Sequence, residues 1–500
     1  MVSVTELTAS LLPLILLAIF IHKWRRRPAT SKTPPPSPRR LPVIGNLHQV
    51  GEFPHRSLHV LSKRYGHLML LHFGSVPVLI ASSAAAAAEI MKNQDSVFAS
   101  RPKLSIADRL TYGSMDVGFA PYGDYWRRVR SVCVLQLLST KRVQSYRGVR
   151  EEETSIMIEK IIRMQTSSHA VNLSDLFQPM MNDVVCRVAL GRKYEGDEGE
   201  GRWFGEVMEG LIGLLGTFSV GDYVPWLGWI NRINGLDARV EHVAKQYDEF
   251  LERVIQQHRD RGGVGDDGAA LDFVDVLLQF QRESEMTSPV EDYTIKAVIM
   301  DMFNAGTHTT STALEWTVAE LMKNPRALRK LEKEVREVGA GKEEINEDDV
   351  EKMPYLKAAF KEGLRLHAPT PLLLPRESTR DTNVLGYDIA RGTHVMINAW
   401  AINRDPSSWE DPEEFLPERF LDSSIDLRGQ HLQFIPFGAG RRGCPGITFA
   451  LAAGELALAK LVHKFDFALP HGVEDLDMTE ATGISVHKKS PLLVITTPAT

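Results

Sequence analysis

The chain reads as a mostly α-helical protein with a small β portion, and three observations predict this. Glu291 to Lys323 contains no proline and keeps a helical apolar period throughout, longer than an ordinary globular helix. Ser145 to about Phe280 repeats that period as a succession of helices, broken by Gly191 to Gly201, by Gly221 to Trp226 and by Arg261 to Gly268. Alternation with a period of two is confined to short runs, His67 to Ser82 about Gly74 and Pro77, and Asn383 to Ala399 about Gly386 and Gly392. With 500 residues, 43% of them apolar, there is enough chain for two or three ordinary domains or for one large one. A net charge of −6 leaves no footprint for a nucleic-acid partner. Cys133, Cys186 and Cys444 are too few and too scattered for a disulfide framework, which points to a reducing compartment. Cys133 and Cys186 read as packed core thiols.

The chemistry concentrates in Pro436-Phe437-Gly438-Ala439-Gly440-Arg441-Arg442-Gly443-Cys444-Pro445-Gly446, ahead of the apolar helical run Ile447 to Leu461. Four glycines and two prolines in this stretch exclude regular structure and specify a tight loop whose backbone can lie against a flat ligand. Cys444 falls where the loop passes into a helix beginning near Pro445, so backbone N–H groups and the positive helix end favour its thiolate. One thiolate beside cations, with no second cysteine nearby, suits a single axial metal position rather than a zinc or iron–sulfur cage. A structural turn with an inert cysteine is the alternative. The spacing Phe437-x-x-Gly440-x-Arg442-x-Cys444-x-Gly446 resembles the haem loop of the cytochrome P-450 family. The resemblance implies haem b with Cys444 as the ligand to iron, Arg442 paired with a propionate, and Phe437 and Gly438 against the porphyrin. It also implies one large haem domain, residues 47–500.

At the amino terminus, Leu7 to Ile21 is uncharged and followed by His22-Lys23-Trp24-Arg25-Arg26-Arg27. About fifteen residues are slightly short for a bilayer, a deficit that snorkelling flanks or local thinning absorb. The basic cluster lies on the carboxy-terminal side of the apolar run, so the positive-inside rule places the residues after Lys23 in the cytosol. A cleaved signal peptide would carry its charge before the run and small residues at a cleavage site. Residues 1–23 therefore read as a transmembrane anchor and 24–46 as a basic, Pro-rich hinge, whose consecutive prolines (Pro34-Pro35-Pro36) exclude helix. Anchor, hinge and the closing Leu41-Pro42-Val43-Ile44-Gly45-Asn46 resemble plant microsomal members of the family, which reside on the endoplasmic reticulum.

Next in order, His55 to Tyr65 predicts a short amphipathic helix, and Phe98 to Gly118 an irregular stretch that the resemblance places over the substrate pocket. Trp126 and Arg130 lie four apart on one helical face, where an indole N–H and a guanidinium could converge on a carboxylate or form a surface cation–π pair. The family's Trp-x-x-x-Arg helix implies haem-propionate contact for both. Arg127, Arg128, Lys141, Arg142 and Arg147 make a basic cluster that, in the family, docks an acidic reductase.

In the long helix, Ala305-Gly306-Thr307-His308-Thr309-Thr310 places Val298, Met302, Ala305 and Thr309 on one face, with the small pair Ala305-Gly306 leaving room for a bulky group. Thr309 can bond the carbonyl of residue 305 and open the helix locally, and close helix packing at Gly306 is the alternative reading. The family carries Ala/Gly-Gly-x-Asp/Glu-Thr-Thr/Ser here, where dioxygen is bound and protonated, so the resemblance implies catalytic roles for Ala305, Gly306, Thr309 and Thr310. His308 stands where the family has an acid. Imidazole can shuttle protons near neutral pH, so either His308 replaces the acid as relay or it points away and Thr309 with water carries the proton.

Glu362 and Arg365, three apart, with Arg419 in Pro417-Glu418-Arg419-Phe420, match the family's buried Glu–Arg–Arg network behind the cysteine loop. Thr370 to Arg376 resembles the segment passing beside the haem, which implies a propionate contact for Arg376. Leu469 to Thr497 suits a hairpin whose tip near Gly483 to Ser485 re-enters the pocket.

The resemblance implies a membrane-bound monooxygenase of the plant specialised-metabolism type. Such an enzyme inserts one atom of dioxygen into a lipophilic terpenoid, phenylpropanoid or coumarin, or alkaloid, with electrons from NADPH through a separate reductase. The sequence holds no convincing nucleotide-binding motif of its own. A haem-thiolate isomerase or dehydratase that needs no dioxygen, and a non-catalytic haem-binding protein, are the rivals.

Overall fold

A computed structural model describes residues 33–165, 170–194, 200–261, 271–284 and 290–499. The anchor expected over residues 1–23, and the first part of the hinge, lie outside these residues. No single helix among the described residues is long and apolar enough to cross a membrane.

The long helix spans Asp292–Lys323 and forms the axis of the molecule. Its first turn carries Asp292 and its last Lys323, each matched to the local end of the helix dipole, and it stops at Asn324, which Pro325 forces out of helical conformation. Ser174–Leu190, Pro354–Leu366 and Ile447–Lys464 pack around it, with Arg147–Gln165 behind them. The core they enclose includes Phe177, Phe303, Trp316 and Phe360, each at most 1% exposed. Burying such aromatics contributes about 1.5–3 kcal/mol apiece.

The β portion is small, as predicted. Leu68–Phe73 and Val76–Ala81 form an antiparallel hairpin in which Leu71 faces Val78. His394–Ile397 adds in parallel to the second strand, and Arg376–Glu377 closes this four-stranded sheet. Thr382–Val384 pairs with Tyr387–Ile389, and Leu493–Pro498 lies between Val171–Asn172 and Phe465–Ala468. The helix expected at His55 runs Pro54–Tyr65. The stretch expected to be irregular from Phe98 to Gly118 contains a helix, Ser105–Leu110, which buries Ile106, Ala107 and Leu110.

Behind the cysteine loop, Glu362 and Arg365 are both fully buried. Arg365 donates to the two carboxylate oxygens of Glu362 at 2.7 and 2.8 Å, and to the carbonyls of Asn403, Pro412 and Glu414 at 2.7–3.0 Å. Arg419 reaches the same carboxylate at 3.3 Å, and the Leu416 N–H donates to it at 2.9 Å. This residue set therefore clamps the helix Pro354–Leu366 to the meander that leads into the loop.

Candidate active site

The loop is shaped by two positive-φ glycines. Gly438 and Gly440 both have φ near +69°, a conformation L side chains rarely adopt, and a Cβ at Gly440 would lie 2.1 Å from the carbonyl oxygen of Met91. Buried Asp95 accepts the Arg441 N–H at 2.9 Å and its guanidinium at 3.0 Å, seating the loop on the short helix Asp95–Phe98. The Cys444 N–H donates to the Phe437 carbonyl at 2.9 Å, and the Gly446 N–H points at the Cys444 sulfur at 3.3 Å. Helix begins only at Ile447. Burial pushes the Cys444 thiol up, outweighing the Gly446 N–H and the Arg130 charge that pull it down. The thiolate expected from the helix end thus needs a stronger cation at the sulfur, which a metal ion provides.

Cys444 opens into an apolar cavity of about 290 Å³. Ala305, His308, Thr309 and Thr310 line it from the long helix, Thr370, Leu373 and Leu374 from the segment beside the loop, and Ile484 and Ser485 from the carboxy-terminal tip. The other two cysteines are fully buried elsewhere, as expected of core thiols. Phe437 and Gly438 also line this cavity. An adjoining chamber of about 580 Å³ shares Phe119, Leu215 and Ile484 with it and reaches outward to Phe53, Phe218 and Tyr223.

One wall is cationic. Arg101, Arg130, Arg376 and Arg442 all line the cavity. Burial, with repulsion from Arg376 and Arg130, drives Arg442 down to about 9, and burial lowers Arg376 to about 10. Arg442 donates to the carbonyls of Ala99 and Val117 at 2.6 and 3.1 Å and to that of Ala120, leaving two of its guanidinium donors uncommitted. Arg376 reaches the Ala439 carbonyl at 3.0 Å and Asp95 at 3.5 Å, and Arg130 reaches the Gly443 carbonyl. So much buried positive charge beside one thiol is stabilised by a ligand that carries anionic groups and a metal. A haem with its two propionates fits this donor set.

Trp126 takes a different place from the one expected. Its indole N–H donates to the Val117 carbonyl at 3.0 Å, and its ring lies under Arg442 at 4.1 Å and Arg130 at 5.5 Å. It supports the cations from behind, and only Arg130 of the pair faces the cavity. The structure also corrects the reading of Gly306. It does not line the cavity; a Cβ there would lie 3.1 Å from Val185 on the neighbouring helix, so this glycine serves close packing. Val298 is buried in the core instead of facing the cavity.

Thr309 donates to the Ala305 carbonyl, as the sequence predicted. His308 faces the cavity with its Nδ1 3.3 Å from the Thr312 hydroxyl, and its ring meets His487 edge-on, centroids 5.4 Å apart. Burial and the neighbouring His487 lower His308 to about 4, so its imidazole is neutral at physiological pH.

The sequence does not single out several cavity residues, although Arg101 and Asp116 fall within the stretch expected over the pocket. Arg101 lines the cavity and donates to the carbonyls of Gly118, Leu374 and Pro375 at 2.7–2.9 Å. Asp301 accepts the Val117 N–H at 2.6 Å and Asp116 the Phe119 N–H at 3.0 Å. Burial raises both carboxyls, Asp301 well above the ordinary range, with the neighbouring Asp116 charge pushing it the same way. The available signal for Asp301 is an acid set among apolar neighbours in Ile299-Met300-Asp301-Met302-Phe303. Ile212 and Leu215 come from a helix whose sequence carries no sign of the site, and Phe360 from the helix read only for its Glu362 and Arg365.

A family model described as Cytochrome P450 matches residues 35–495. The chain is 62% identical over 494 residues to cytochrome P450 71A6 of Nepeta racemosa, covering 96% of each chain. It is 62% identical over 487 residues to (+)-menthofuran synthase of Mentha piperita, covering 97% of each. Its fold is similar to a zebra fish cytochrome P450 solved with progesterone, with a TM-score of 0.76 at 27% identity over 89% of this chain and 99% of that one. Thiol, cationic wall and helix turn together, and a match that spans nearly the whole sequence, place this chain in the cytochrome P450 family as a haem-thiolate monooxygenase.

Proposed function

We propose that this protein inserts one oxygen atom from dioxygen into a lipophilic plant terpenoid, with electrons passed from NADPH through a separate reductase. The observation that carries the reading is one cavity in which Cys444, the cationic wall and the turn Ala305 to Thr310 meet apolar side chains of the size a small terpenoid needs. The relative from Mentha piperita is named for menthofuran, a ten-carbon terpenoid, which supports that substrate class.

Cys444 would hold the haem iron, with Arg130, Arg376 and Arg442 facing its anionic edge. The haem would supply the chemistry of dioxygen activation, and the Cys444 thiolate would donate electron density to it. The protein's own residues then do three things. Ile212, Leu215, Met302, Leu373, Leu374 and Ile484 exclude water and orient an apolar substrate. Thr309, bonded to Ala305, holds a hydroxyl beside the cavity. Neutral His308 offers one N–H and one lone pair, and so can take a proton at one nitrogen and release one from the other without staying charged. We assign it the relay position held by the family's acid.

Residues 1–23 would anchor the protein in the endoplasmic reticulum membrane with the catalytic domain in the cytosol. Trp226, Trp229 and Ile233, each more than half exposed, support contact of that face with lipid. Exposed Arg127, Arg128 and Lys141 supply a basic surface for an acidic reductase.

The test is turnover in membranes holding the protein and a plant reductase, with ¹⁸O₂ and NADPH. The product is expected to carry one labelled oxygen and to require both NADPH and reductase. Turnover without either would favour an isomerase or dehydratase, and absence of any product across a terpenoid panel would favour a carrier. His308→Ala is expected to lower product formed per NADPH consumed several-fold; unchanged coupling would remove His308 from the relay.

A further inference from the structure

The polar side chains on the cavity wall differ in whether the protein already satisfies them. Thr309 is bonded to the Ala305 carbonyl and Thr111 to that of Ala107, while Arg101 is held by three carbonyls. Asp116 and Asp301 hold backbone N–H groups. Asn304 is different. Its Oδ1 is buried without a partner, and among the described residues its side-chain amide makes no hydrogen bond at all. Thr310, also a lining residue, has its Oγ1 buried without a partner too.

A primary amide offers both a donor and an acceptor, whichever way it is turned. Asn304 shares the cavity lining with Ile212, Leu215, Met302 and Leu374, none of which can give its amide a partner. A hydrocarbon in the cavity leaves the amide unbonded, whereas a hydroxyl or carbonyl oxygen can accept its N–H.

We propose that Asn304 is a substrate-anchoring residue that binds an oxygen already present on the terpenoid, so the preferred substrate is an alcohol or ketone rather than a hydrocarbon. The proposal rests on the terpenoid reading above and narrows it.

Spectral binding titrations with limonene, menthol and menthone, which share one carbon skeleton, test this on the full-length holoenzyme. The wild type is expected to bind menthol and menthone roughly ten- to a hundredfold more tightly than limonene. Asn304→Leu is expected to lose that preference with an unchanged reduced-carbon-monoxide spectrum, and Asn304→Ala to do the same should the leucine variant fail to fold. Equal binding of all three ligands by the wild type, or a preference that survives in the folded variants, overturns the assignment of Asn304 and leaves the terpenoid reading standing. If none of the three perturbs the spectrum of a protein with its full carbon monoxide band, the terpenoid reading falls and takes this proposal with it.

Discussion

Arg365→Ala is the sharpest test of how the cysteine loop is held. The guanidinium is fully buried and gives up its bonds to Glu362 and to the carbonyls of Asn403, Pro412 and Glu414 when truncated. Glu362 then stays buried with only Arg419, at 3.3 Å, and the Leu416 N–H. Breaking a buried pair by deleting one partner costs about 3–5 kcal/mol, and the orphaned carbonyls push the value toward the upper end. Against a total stability of roughly 5–15 kcal/mol, that removes a large share. The assay is urea unfolding monitored by tryptophan fluorescence, for which Trp409, 5.2 Å from the guanidinium, is a nearby reporter. A large drop in midpoint is expected, together with loss of the thiolate-type carbon monoxide band. Arg365→Lys, which keeps the charge but not the fork, should fall between the two. The double variant Glu362→Leu/Arg365→Met, which removes both fully buried charges and leaves Arg419 on the Asp411 carbonyl, should unfold at a higher urea concentration than Arg365→Ala. An unchanged midpoint for Arg365→Ala would refute the buried-charge argument. A double variant weaker than either single would show that the backbone carbonyls, not the charges, set the cost.

Two further outcomes are expected from particular residues. Gly440→Ala puts a Cβ into the Met91 carbonyl at a φ of +69°, so the loop must shift; haem retention after desalting should collapse while far-ultraviolet circular dichroism stays close to wild type. His72, His308 and His394 are each held down to about 4, chiefly by burial, from an ordinary value of 6.5. The folded chain therefore binds fewer protons than the unfolded one between these values, and the stability present above pH 6.5 is lost as pH falls toward 4. Each group contributes at most about 3 kcal/mol. Urea midpoints should decline across that window, and His394→Gln should make the decline shallower; parallel profiles would rule out the burial of His394 as a cause.

What could be read from the sequence was whatever local spacing encodes. The long helix begins within one residue of its expected start and ends at Lys323, because the absence of proline and the stop before Pro325 are local facts. The cysteine loop, the Glu362–Arg365–Arg419 set and the carboxy-terminal tip were legible as motifs, and the structure brings the expected partners together. What spacing cannot encode is the direction of a bond that closes between distant segments. Trp126 has the expected position on its helix, yet its N–H is taken by Val117, nine residues upstream in a loop whose path the sequence left undefined. Gly306 sits in the right turn but faces Val185, since which side of a helix meets a neighbour depends on that neighbour. The helix Ser105–Leu110 was missed because six residues are too few to show a period. Arg101, Asp116 and Asp301 join the site only through contacts across the chain.

The carboxy-terminal tip that reaches the cavity carries a consequence for how such enzymes diversify. Val486 is tied on both sides, its N–H to the Pro369 carbonyl at 2.8 Å and its own carbonyl to the Trp316 indole at 3.0 Å, so the residues just before it enter the chamber from a fixed base. Ile484 and Ser485 can be exchanged without removing either bond of that base. Substrate choice and cofactor retention thus sit on separately mutable parts of one chain, which lets new chemistry be sampled a few side chains at a time while the haem stays seated.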